Sequence, residues 1–157
     1  MTKFLLSLHV LAAIVAIGPV TVAASMFPPA ARRAAPADDG APDPSAVGTV
    51  ALLHRVCRVY AGVGVSVPVL GLATGAVMGV LGSGWLVTSI ALTAAAAGVL
   101  AAFVLPRQEE LLGQLKGAQA VEHRNTAQLA MFTGVFNLLW ATVTVLMIVR
   151  PGSTTGA

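Results

Sequence analysis

Four apolar stretches of roughly twenty residues each run through this chain, and no Asp, Glu, Lys or Arg lies deep in any of them. A hydrocarbon core about 30 Å thick is crossed by roughly 20 apolar residues in helical form. No water is available there for backbone N–H and C=O groups, so a helix that satisfies its own hydrogen bonds is the natural solution. The predicted spans are about 4–27, 59–81, 85–105 and 127–149, with stops read at Pro28-Pro29, at Pro106 and at Arg150-Pro151. Between the second and third lies only Gly82-Ser83-Gly84, so those two helices are antiparallel neighbours. The expected fold is an all-α membrane protein, a four-transmembrane-helix bundle forming one domain over 1–157.

Composition agrees. Hydrophobic residues make up 57% of the chain and charged ones 10%, against about 25% charged in an ordinary soluble domain. The net charge of +3 is small and dispersed, which excludes a nucleic-acid surface. A lone cysteine, Cys57, rules out an internal disulfide, and no CxxC or zinc spacing occurs. Seven arginines against two lysines, with heavy Ala, Val and Gly use, point to a high-GC bacterial genome.

Two connections remain. Residues 28–46 are rich in Pro, Ala, Asp and Gly and read as a polar loop. In 107–126, Leu111, Leu115 and Ala118 recur at helical spacing, which fits an amphipathic helix in the interface or a solvated helical arm. Arg32, Arg33, Arg55, Arg58, Arg107, Lys116 and Arg124 fall on one side of the bilayer, and only Lys3 and Arg150 on the other. Basic loops stay inside, so both long connections are expected in the cytoplasm of a bacterial inner membrane, with both termini outside. Val22-Ala23-Ala24 before Ser25 also has the look of a signal-peptide cleavage site. The first apolar run is longer than a usual signal core and carries His9, so retention as a true helix is the expectation.

Helices associate in lipid through close packing and hydrogen bonds. Gly71, Gly75 and Gly79 form a small-residue ladder, and Ala94, Gly98 and Ala102 repeat its spacing in the next span. These two faces are expected to pack on each other; the competing role is a homo-oligomer seam. Asn137 and Trp140 are read as packing and hydrogen-bonding elements. His54-Arg55 and His123-Arg124 precede the second and fourth spans alike, but the rest of the two hairpins does not align.

His9 is the only ionisable side chain within a span. A neutral imidazole there could serve as an axial haem ligand or proton relay, or simply as an interfacial hydrogen-bonding group. His54, Arg55 and Arg58 share a face before the second span and read as a basic collar on lipid headgroups. Pumps and antiporters keep ionisable groups in the membrane, and none beyond His9 is present. No Ser/His/Asp set, carboxylate pair or phosphate loop occurs either.

Three segments, KFLLSLHVLAAIVAIGPVTVAASMF, RVYAGVGVSVPVLGLATG and LMIVRPG, together resemble a bacterial family of small integral membrane proteins known as domain of unknown function 2269. That resemblance covers nearly the whole chain and implies a four-helix membrane protein without an established activity. An early histidine in the first span is also similar to small membrane haem proteins, including the four-helix bacterial protoporphyrinogen oxidase; it implies haem b on His9 alone. The leading expectation is a non-enzymatic membrane component, an accessory subunit or a small-solute or lipid-handling module. Its partners would be the lipid bilayer and a second copy or another membrane subunit. A haem-binding redox protein and an oligomeric transporter or channel are the alternatives.

Overall fold

Three of the four apolar stretches lie within a long helical rod, and the second, expected over 59–81, ends early at Met78; most of the rods run past the other boundaries expected from sequence. The structure, a computed structural model, describes residues 1–36 and 40–152. Its elements are α1 (Thr2–Ala34), α2 (Pro44–Gly64), α3 (Ser66–Met78), α4 (Gly84–Val99), a π turn (Leu100–Val104), α5 (Leu105–Lys116) and α6 (His123–Val149). No strand occurs among the described residues. Grouped into continuous rods, Thr2–Ala34, Pro44–Met78, Gly84–Lys116 and His123–Val149 are long and apolar enough to cross a membrane. This is the make-up of a multi-pass membrane protein.

Two expected stops and one expected start do not hold. Pro28 and Pro29 lie inside α1, which continues to Ala34. A proline withdraws the N–H owed to the carbonyl four residues back, yet here Phe27, Ala31 and Ala34 are wholly buried. Their packing, mainly along α2, outweighs the two missing hydrogen bonds. Pro106 likewise sits in the first turn of α5. Only Leu105 separates it from the π turn, whose wider register absorbs a proline without breaking the rod. Finally, the second rod starts at Pro44 rather than near 59, and only Val65 interrupts it.

The expected polar loop 28–46 is therefore a shorter connection, of which residues 37–39 lie outside the described residues. Asp43 closes it as the N-cap of α2, accepting from the Ser45 backbone N–H at 2.9 Å. That hydrogen bond, with a second from the Ser45 hydroxyl, holds the Asp43 carboxyl below its ordinary range. A depressed carboxylate stabilises the fold above its unfolded-state pKa, and that contribution disappears as pH falls through the folded-state value. We expect the Ser45 amide resonance, followed in detergent from neutral to strongly acidic pH, to move only below the usual carboxylate range. In Asp43→Asn that titration should be gone.

Segment 107–126 is neither an interfacial helix nor a solvated arm. α5 prolongs the third rod, and Leu111, Leu112 and Leu115 are buried in the main core beside Val50, Val104 and Leu129. Ala118, expected on the same face, lies in the following turn with φ +51° and is exposed.

Packing is uneven along the bundle. The core joins Val20, Ala24, Phe27, Val50, Cys57, Leu100, Leu111, Leu129 and Phe136. All belong to the half nearer the basic connections. α3 packs mainly on α1 and α4 on α6, while α3 and α4 touch each other little. An opening between the pairs results.

Candidate functional site: an apolar cleft open to the membrane

This opening is a cleft of about 890 Å³ between α1, α3, α4 and α6. Ligand pockets span about 300–1,000 Å³ and combine mostly apolar walls with a few placed polar groups. Here the walls are residues such as Leu6, Ile14, Ile17, Met78, Leu86 and Ile148. Among the polar side chains, Thr74 and Thr144 spend their hydroxyls on their own helices, bonding the Leu70 and Trp140 carbonyls. Thr21 does not: its Oγ1 is buried without a partner on the cleft wall. At the rim near the Gly82-Ser83-Gly84 turn the Arg150 guanidinium lies 5.7 Å from the centre of the Trp85 ring, a cation–π distance.

His9 is the best-defined polar element of the wall. Its ring is buried, with Nδ1 3.0 Å from the Val67 carbonyl oxygen. A carbonyl only accepts, so it is Nδ1 that carries a proton in this hydrogen bond. The ring rests against Gly71, where a Cβ would come 3.0 Å from His9 Cε1 and 3.4 Å from Nδ1. A glycine at this position is what lets α1 approach α3 with a histidine between them.

The two small-residue faces do not meet as expected. Gly71 faces α1. Gly75 does face the following hairpin, with its would-be Cβ 2.9 Å from Leu86 Cδ2. Gly79, with φ +69°, ends α3 in the left-handed conformation. Ala94, Gly98 and Ala102 are exposed on the outer surface, because α4 turns Ala96, not this stripe, toward the core.

The expected headgroup collar divides as well. Arg55 and Arg58 are exposed, but His54 points into the bundle with Nδ1 3.2 Å from Gln108 Oε1. Gln108, fully buried, donates from Nε2 to Cys57 Sγ at 3.5 Å, and Cys57 lies 4.0 Å from the Val20 carbonyl oxygen. This polar chain ties α2 to α5 and α1. Gln108 escaped the sequence reading, although Gln108, Leu111, Leu112 and Leu115 fall at i, i+3, i+4 and i+7. A glutamine in register with a buried leucine face is the signal that marks it.

His9, in the cleft, and His54, beside Gln108, belong to opposite halves of the bundle, and no group of three or more His, Cys, Asp or Glu side chains suited to a metal occurs among the described residues. No family model, curated protein or solved structure matches this chain.

Proposed function

We propose that this chain is a non-enzymatic, lipid-handling membrane component that holds a single amphiphilic molecule in the cleft between its two helix pairs. The observation that carries this reading is the combination of a large apolar opening with an enclosed, unpartnered Thr21 hydroxyl and a His9 ring fixed on its wall. An amphiphile with a hydrogen-bonding group satisfies both kinds of surface; a hydrophilic solute satisfies only one. The excess of basic residues at the tightly packed end supports a setting in which that half faces the cytoplasm of a bacterial inner membrane and the cleft opens toward the outer leaflet.

Gly18 supplies the test. It lines the cleft, and a Cβ there meets nothing within 4 Å. Gly18→Phe should therefore fill the opening without disturbing the packed half. Organic extraction and mass spectrometry of purified protein should find a co-purifying amphiphile near one per chain in the wild type, falling by roughly tenfold in the variant if occlusion removes a few apolar contacts. Equal lipid content in both would overturn the reading.

One observation favours a second reading. An axial histidine is commonly held by its Nδ1–H on a backbone carbonyl, as His9 is on Val67. A haem on Nε2 would bring redox chemistry to the cleft. Oxidised and dithionite-reduced spectra decide it: a Soret band lost in His9→Ala supports haem, and a featureless spectrum from well-folded protein removes it. The exposed Ala94, Gly98 and Ala102 stripe leaves a homo-oligomer as part of either proposal.

A further inference from the structure

A second, smaller cavity of about 240 Å³ lies between α1 and α6, in the half nearer the basic connections. Ser25, Pro28, Pro29 and Arg32 line it from α1, and Ala130, Thr133, Gly134 and Asn137 from α6. Thr133 is 3% exposed, and its Oγ1 has no hydrogen-bond partner. Asn137 donates from Nδ2 to Ser25 Oγ at 3.2 Å, which leaves Oδ1 enclosed and unpartnered. Enclosed polar atoms without partners are uncommon in proteins. Thr133 and Asn137 in this cavity, with Thr21 on the neighbouring cleft wall, account for three of the four such side-chain atoms identified among the described residues.

The chemistry of the missing partner can be read from the wall. Arg32 contributes a positive charge and five N–H donors. Its Nε lies 3.4 Å from the Pro28 carbonyl, so the side chain folds back along the helix toward the cavity. A guanidinium in this setting favours a phosphate. Asn137 Oδ1 needs the opposite, a donor, and it lies deeper than Arg32. Pro28 and Pro29 add to that demand, since they withdraw the N–H groups owed to the Ala24 and Ser25 carbonyls. An intact phospholipid carries its head-group donors outside the phosphate, toward water. A lysophospholipid carries a free sn-2 hydroxyl on the inner side of the phosphate, at the depth of Asn137.

The cavity also adjoins the cleft. Thr21 on the cleft wall and Ser25 in the cavity are one helical turn apart on α1, as are Trp140 and Asn137 on α6. We infer that the amphiphile is a lysophospholipid, its phosphate on Arg32, its sn-2 hydroxyl on Asn137, its ester carbonyl accepting from the Thr21 hydroxyl one turn further along α1, and its single acyl chain running on into the cleft. This inference rests on the reading of the cleft as an amphiphile site.

Titration calorimetry of the full chain in a non-ionic detergent tests it, with 1-acyl lysophosphatidate, its 2-O-methyl analogue, the diacyl phosphatidate and inorganic phosphate as probes. Lysophosphatidate should bind one per chain, and the 2-O-methyl analogue about fivefold or more weaker, as expected for one buried hydrogen bond left unmade. Arg32→Gln should weaken lysophosphatidate by roughly tenfold or more. Asn137→Leu should erase the difference between the two analogues, and the near-isosteric Thr133→Val should weaken both. Equal binding of the O-methyl or diacyl probe overturns the proposal. So does full displacement by inorganic phosphate, which gives the cavity to the free ion. A dimer that dissociates in Asn137→Leu with lipid binding unchanged gives the cavity to a second copy instead. If Gly18→Phe abolishes lysophosphatidate binding while Arg32→Gln and Asn137→Leu leave it intact, the cleft reading stands and this one falls. If Gly18→Phe has no effect, the cleft reading itself has failed.

Discussion

Replacing Gly71 with valine should lower the stability of the bundle by about 1–3 kcal/mol, the range for overpacking a well-filled site. The first added carbon would stand 3.0 Å from His9 Cε1, and a branched side chain adds two more atoms to the same space. His9 can yield only by turning away, and turning breaks its hydrogen bond to Val67. Helix propensity alone predicts the opposite sign, since valine and alanine both favour helix over glycine. Even Gly71→Ala is therefore informative: it should destabilise, whereas Gly98→Ala, with open space around the new methyl group, should stabilise slightly. Thermal midpoints measured by size-exclusion chromatography in detergent separate the two. The double variant His9→Ala, Gly71→Val should recover part of the loss, because the new side chain then occupies the vacated ring volume. No recovery would mean that Gly71 answers to something other than His9.

The four rods were legible because length and hydropathy are one-dimensional signals, and the bilayer enforces them on each helix separately. Their ends were less so. Pro28, Pro29 and Pro106 look like stops when only local hydrogen bonding is weighed. In the fold, the burial of Phe27 and Ala31 and the π turn before Pro106 carry the helices onward. Local rules lose here to tertiary packing, and packing is invisible before the partners are known.

Helix pairing was harder for a reason peculiar to membranes. In water, an apolar face marks the core. In lipid, Ala94 and Gly98 on the outside carry the same chemistry as Ala24 and Ala31 inside, so small-residue spacing alone does not choose between them. His9 was singled out correctly as a polar residue in a span, but its seat against Gly71 needed three dimensions. The cleft itself left no mark in the sequence, since its walls and the lipid-facing surface use the same residues. Asn137 was legible only as a packing and hydrogen-bonding element, and Thr133 carries no signal of its own in the sequence; their missing partners emerge from the α1–α6 packing.

The buried chain His54–Gln108–Cys57 should give the other large effect. Gln108→Leu keeps volume and helix propensity nearly constant but leaves the His54 N–H facing an alkyl group. A buried donor stripped of its acceptor costs about 1–3 kcal/mol, and the thiol of Cys57 loses its own neighbour at the same time. His54→Leu should be similarly harmful, because the Gln108 carbonyl oxygen is then abandoned at a fully buried position. Removing both partners is different. His54→Leu with Gln108→Leu leaves no strong polar group unsatisfied, and an apolar pair in an apolar setting can be close to neutral. The double-mutant cycle should therefore show strong coupling, with the double variant more stable than either single one. Chemical unfolding in mixed detergent micelles measures all four corners. Additive losses would show instead that His54 and Gln108 act independently, and that α2 and α5 are held together by the leucine packing around them alone.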